Sequence, residues 1–119
     1  MFMEFTVEFY VSASGQSPVR EFLLELKAND PGDFAAVAAG LEKLRHRQCH
    51  HEPLTKALND GLFELRHVGK LNTRVLWFFM KGRRIVAVHG IRKKGQAIPA
   101  RDLDTARARM RDWKERNEL

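Results

Sequence analysis

The chain has a single cysteine, Cys49, so no intramolecular disulfide can form and nothing in its thiol content argues for an oxidising compartment. No apolar run approaches the roughly 20 residues that a membrane-spanning helix needs. The first residues, Met1-Phe2-Met3-Glu4-Phe5, lack the basic and long apolar regions of a secretory leader, and a cytoplasmic protein is expected. Also absent are internal repeats, low-complexity tracts and a glycine-rich phosphate loop. Acidic residues are scarce in the second half. Residues 1–59 carry 6 Lys and Arg against 8 Asp and Glu, whereas residues 60–119 carry 15 against 7. The net charge of +6 is therefore a balance of −2 and +8, and the basic half calls for a polyanion, nucleic acid first, or an acidic protein partner.

With 119 residues, 44% hydrophobic and 30% charged, the sequence fits one soluble domain, residues 1–119, with one core. Phe5, Val7, Phe9 and Val11 alternate with polar or amphipathic neighbours, the period of a strand with one buried face. Ser17 and Pro18 open a first helix to about Ala28, carried by Val19, Phe22, Leu23 and Leu26. Asp30 and Pro31 cap and start a second, with Phe34, Val37, Ala38, Leu41 and Leu44 on one stripe. Helices joined this tightly form a hairpin able to cover one face of a sheet. The second helix is expected to run into His46, Cys49 and His50, whose spacing would suit a soft metal. The better reading is imidazoles near a helix C-terminus, and no metal is expected. Residues 52–60 read as a linker.

The region from Gly61 to Pro99 organises the rest. Leu62 to His67, Thr73 to Met80 and Arg84 to Ile91 read as three consecutive strands, with Lys81, Gly82 and Arg83 as a tight turn between the last two. Period two places Arg74, Leu76, Phe78 and Met80 on one face of the middle strand and Val75, Trp77 and Phe79 on the other. Both faces are apolar, so this strand is expected at the centre, with Arg74 at the rim. Arg92, Lys93 and Lys94 follow the last strand. Taken alone they read as a solvated loop; joined by Arg66 and Arg74 they read equally as a converging anion site. A final helix after Pro99 repeats Leu103, Ala106, Met110 and Trp113, with arginines on its other faces. The order is β-α-α-β-β-β-α, an α+β fold built on an antiparallel meander.

Three motifs in register carry a family resemblance: Gly-Leu-Phe-Glu-Leu-Arg from Gly61, Arg-Val-Leu-Trp-Phe from Arg74, and Val-His-Gly-Ile-Arg-Lys-Lys-Gly-Gln-Ala-Ile-Pro from Val88. Together they resemble the RelE/ParE superfamily of bacterial toxins, in its phage-derived, HigB-like branch. The resemblance implies a small curved antiparallel sheet with the helices packed on it, and a toxin that cuts messenger RNA on the ribosome. The chemistry implied is metal-free and cofactor-free attack of a ribose 2′-hydroxyl on the adjacent phosphate. The partners implied are the ribosome and its message, and a cognate helix-turn-helix antitoxin through which alone operator DNA is bound. No membrane partner is implied. Carried over by position, Arg74, Arg92, Lys93, Lys94 and His89 are the catalytic candidates, while Arg66, His67, Lys70, Arg84 and Arg101 would bind RNA. Some relatives use a C-terminal tyrosine for proton transfer; here the only tyrosine is Tyr10, and the neutral-pH candidates are His89, which reads also as a structural histidine, and then His67, with Lys94 as a lysine alternative. Two other readings remain open at this point: a ParE-like gyrase inhibitor on the same fold, and a non-catalytic phage-derived binding protein.

Overall fold

The computed structural model describes residues 4–66, 73–92 and 97–117. Its elements are β1 (Thr6–Phe9), α1 (Pro18–Asn29), α2 (Pro31–Lys43), β2 (Thr55–Ala57), β3 (Leu62–Leu65), β4 (Thr73–Met80), β5 (Arg84–Arg92) and α3 (Ala100–Asn117). The strands form one sheet in the order β1-β5-β4-β3-β2. The α1–α2 hairpin lies on one face and α3 on the other. The mixed α+β fold, the helix hairpin and the C-terminal helix on the sheet are as the sequence predicts.

Three details differ. The sheet is antiparallel except at one edge, where β1 runs parallel to β5. The expected linker contains the edge strand β2. Three residues are too few to show a period, but Thr55 is buried there, donating to the Glu64 carbonyl oxygen at 2.9 Å and accepting from Trp77 Nε1 at 3.1 Å. The second helix ends at Lys43, and a separate 3-10 turn at Arg47–Cys49 follows. His46 and His50 therefore share no helical face. His50 instead faces the Leu44 carbonyl oxygen at 2.6 Å and packs edge-on against Phe5. Among the described residues no His, Cys, Asp and Glu cluster could hold a metal, and no helix is long and apolar enough to cross a membrane.

The two cores follow from the alternation of β4. Val75 and Trp77, with Leu65, Ile85 and Ala87, pack under α1 and α2. Leu76, Phe78 and Met80, with Leu62, Val86 and Val88, pack under Ala106, Met110 and Trp113 of α3. Trp77 stacks on Phe63 with ring centroids 4.6 Å apart and meets Phe79 edge-on at 4.8 Å. Full burial of each such side chain stabilises the fold by about 2–3 kcal/mol. Asp30 accepts from the Asp33 amide at 3.1 Å, which caps α2 as its position before Pro31 predicts.

The pairing of β4 with β5 shifts register: Leu76 lies opposite His89, but Trp77 lies opposite Ala87, so Val88 is an extra residue on β5. The bulge breaks the alternation of β5. Val88 and His89 both turn to the α3 side, and Gly90 comes under Phe22 of α1. A Cβ on Gly90 would stand 2.8 Å from Phe22 Cγ, inside van der Waals contact. Gly90→Ala is therefore expected to destabilise the fold by about 1–3 kcal/mol, read from a lowered urea midpoint at unchanged slope. Adding Phe22→Leu should recover part of the loss; equal stability of Gly90→Ala and the parent chain would contradict the packing described.

Candidate nucleic-acid interface

Arg74 opens β4 on the α3 side of the sheet. Its side chain is only 13% exposed, and its Nε stands 2.8 Å from Oε1 of Glu64, an ion-pair contact whose angle falls short of a linear hydrogen bond. Its Nη1 donates to the carbonyl oxygen of Thr73 at 2.9 Å. Glu64 is itself buried, and a buried carboxylate requires a countercharge. Two contacts on different nitrogens fix the plane of the guanidinium, which carries five donors.

His89 sits on the same side, opposite Leu76, which in turn lies opposite Glu64. Glu64, Leu76 and His89 thus form one cross-strand row, the outer two about 10 Å apart at two strand spacings. His89 Nε2 is 2.7 Å from Oδ1 of Asp102, and its Nδ1 is 2.9 Å from Nη1 of Arg109. An arginine can only donate, so Nδ1 accepts and Nε2 carries the proton that goes to Asp102. Arg109 also donates to the Val88 carbonyl oxygen at 2.9 Å, and burial lowers its pKa from the ordinary value. Both ring nitrogens are thus engaged. To move a proton to or from substrate, the ring must first release Asp102 or Arg109.

Arg92 leaves the other face. Thr73 lies opposite Arg92, and Arg74 opposite Ile91; residues directly opposite share a face. Thr73 and Arg92 both reach Asp33, a buried carboxylate of α2 that accepts from the Thr73 hydroxyl and lies 3.8 Å from Arg92 Nη2. Asp30 adds a contact to the same nitrogen at 3.1 Å. Arg74 and Arg92, expected to converge on one phosphate, are therefore separated by the sheet. The acidic cap of α2 draws Arg92 to its own side. At the end of β5, between α1 and the start of α3, Arg92 and Arg101 line a groove of about 380 Å³ with Phe22, Asn29, Gly90 and Asp102.

The other candidates are dispersed. Arg66, at the end of β3, is 3.4 Å from Glu52. Arg84 begins β5, about 26 Å along the strand from Arg92, and is paired with Glu8 at Nη2 to Oε1 2.9 Å, a bond that raises its pKa. It lies opposite Met80, on the same face of the sheet as Arg74 but at the β1 edge and at the far end of the strands. His67, Lys70, Lys93 and Lys94 lie outside the described residues. The tyrosine expected elsewhere in this kind of site has no counterpart here. Tyr10 OH donates to Asp112 at 2.6 Å, about 15 Å along α3 from Asp102, and burial with that carboxylate raises the phenol's pKa.

Sequence reasoning passed over Glu64, Asp33, Asp102 and Arg109. Period two could have found Glu64, the one acidic residue in β3, two positions from Leu62. Asp102 and Arg109 are seven apart, two turns along α3, and so share a face.

The family whose model matches this chain is related to the RelE-type toxins. Residues 21–111 match the family model described as Phage derived protein Gp49-like (DUF891), and the chain belongs to that family. No curated protein matches the chain.

Replacing His89 by Ala would leave Asp102 and Arg109 without their shared partner, at an expected cost of about 1–3 kcal/mol in urea unfolding. Asn, which also offers one donor and one acceptor, should cost less; Ala and Asn variants as stable as the parent would remove the relay from the list of stabilising contacts.

Proposed function

We propose that the protein is the toxin of a type II toxin-antitoxin pair, of the HigB-like branch, and that it cuts messenger RNA on the ribosome. In the reaction, the ribose 2′-oxygen gives up its proton and attacks the adjacent phosphorus. The bond from phosphorus to the 5′-oxygen breaks, leaving a cyclic phosphate and a free 5′-hydroxyl. Negative charge grows on the non-bridging oxygens, and a fixed cation there lowers the barrier.

The observation that carries this reading is the preparation of Arg74. A guanidinium 13% exposed adds nothing to a core, and ordering it against a buried carboxylate costs desolvation. Such an arrangement makes sense where a planar fork must meet a phosphate in one orientation. Membership in a family related to the RelE-type endoribonucleases supports the same chemistry. Arg92 and Arg101, on the groove side, would position the backbone of the message. The partner that restrains the toxin would be a helix-turn-helix antitoxin, and operator DNA would be reached only through that complex.

The test is primer extension on a defined message, with and without programmed ribosomes. New 5′ ends within codons are expected only with ribosomes present. Arg74→Ala should lower cleavage per folded molecule by about 100-fold or more, and Arg74→Lys, which keeps the charge but not the fork, should fall between. Intact message in every lane, or full cleavage by Arg74→Ala, would sink the proposal.

A further inference from the structure

Beside Arg74 the sheet and α3 enclose a second groove, of about 420 Å³, within the 300–1,000 Å³ or so usual for small-molecule sites. Leu58 beyond β2, Ile98 before α3 and Leu103 on α3 give it apolar wall, and Asn59 is a polar part of its lining. Glu64, buried and paired with Arg74, is part of its lining, and Lys56 and Arg107 add positive charge. Arg107 is held by Asp60 at 2.9 Å and by Asp104 at 3.4 Å. Lys56 is exposed on β2.

Leucine and isoleucine side chains, a carboxylate, an amide and flanking cations are a specific combination. A carboxylate only accepts hydrogen bonds, so whatever it recognises must present donors. The walls take a flat, weakly polar ring on both faces, as single-stranded bases are taken when they leave the stack. The cations suit the phosphate attached to it. Among the four bases, guanine alone places two donors side by side, N1–H and N2–H. Adenine and cytosine offer an amino group beside an acceptor, and uracil one N–H between two carbonyl oxygens. Arg74 at 2.8 Å supplies the countercharge that lets Glu64 remain an acceptor away from bulk water.

We propose that this groove is a nucleobase subsite that selects guanine through Glu64. The assignment rests on the ribonuclease reading for its purpose, since it would set the base preference beside the cut. It does not rest on that reading for its test. Arg74 then serves both sides of one contact: it orients toward phosphate and it holds the carboxylate that reads the base.

The full chain, labelled with nitrogen-15, is titrated with 5′-GMP, AMP, CMP and UMP, and the amides of Leu58 and Leu103 are followed. GMP should bind about tenfold or more tighter than UMP, the discrimination expected of one bidentate pair. Glu64→Gln, which replaces one acceptor by a donor, should remove the guanine preference. Leu103→Trp fills the groove while leaving Glu64 and Arg74 unsubstituted and should weaken all four nucleotides; it carries the test if Glu64→Gln does not fold. Equal affinity for GMP and UMP, or nucleotide affinities unchanged in Leu103→Trp, overturns the subsite. Cleavage on the ribosome is scored separately: a chain that binds GMP selectively yet never cuts message keeps the subsite and loses the ribonuclease, and the reverse result does the opposite.

Discussion

Everything in this fold answers to the burial of β4 on both faces. Trp77 and Phe78 are neighbours in sequence, each with at most 1% of its surface exposed, and each belongs to a different core. No two-layer arrangement satisfies such a strand. It needs a sheet neighbour on either edge and a helical layer on either face, which β3, β5, the α1–α2 hairpin and α3 supply. The polar rim of the molecule is what remains: where β4 begins, apolar cover ends and Thr73 and Arg74 take over, each with an acidic partner on its own side.

The bulge at Val88 converts this sandwich into a site. Without the extra residue, His89 would follow the alternation of Ile85 and Ala87 and face the helix hairpin. With it, His89 turns to α3, where Asp102 and Arg109 take its two nitrogens. The same shift sets Gly90 beneath Phe22, so a side chain on one face and its absence on the other come from one insertion. The neutral tautomer fixed by this relay makes His89 a clamp between sheet and helix first. Any part in proton transfer requires one of its bonds to be given up.

Much of this was legible in the residues. The faces of β4, the turn at Gly82, the cap at Asp30 and the helix order all follow from local rules, because each depends on neighbours within a few positions. What was hidden depends on pairing across the chain. The parallel union of β1 with β5 leaves no periodic mark, and β2 is too short to have a period. The separation of Arg74 from Arg92 was written in the pairing register, not in either residue's surroundings: one position of offset across two strands sends two arginines to opposite faces. The carboxylates Glu64, Asp33 and Asp102 escaped notice because a search for an anion site counts cations, whereas an arginine held in place needs an acid behind it.

The placement of β1 also orders events in time. Thr6 to Phe9 leave the ribosome well before their partners in the sheet, Arg84 to Ala87. The sheet between them cannot close until the chain has passed β5, and contacts this distant in sequence slow folding. A nascent chain therefore has no assembled Arg74 face before β5 has been made, and the same topology that buries β4 delays the appearance of whatever activity that face carries until both strand neighbours and α3 are in place.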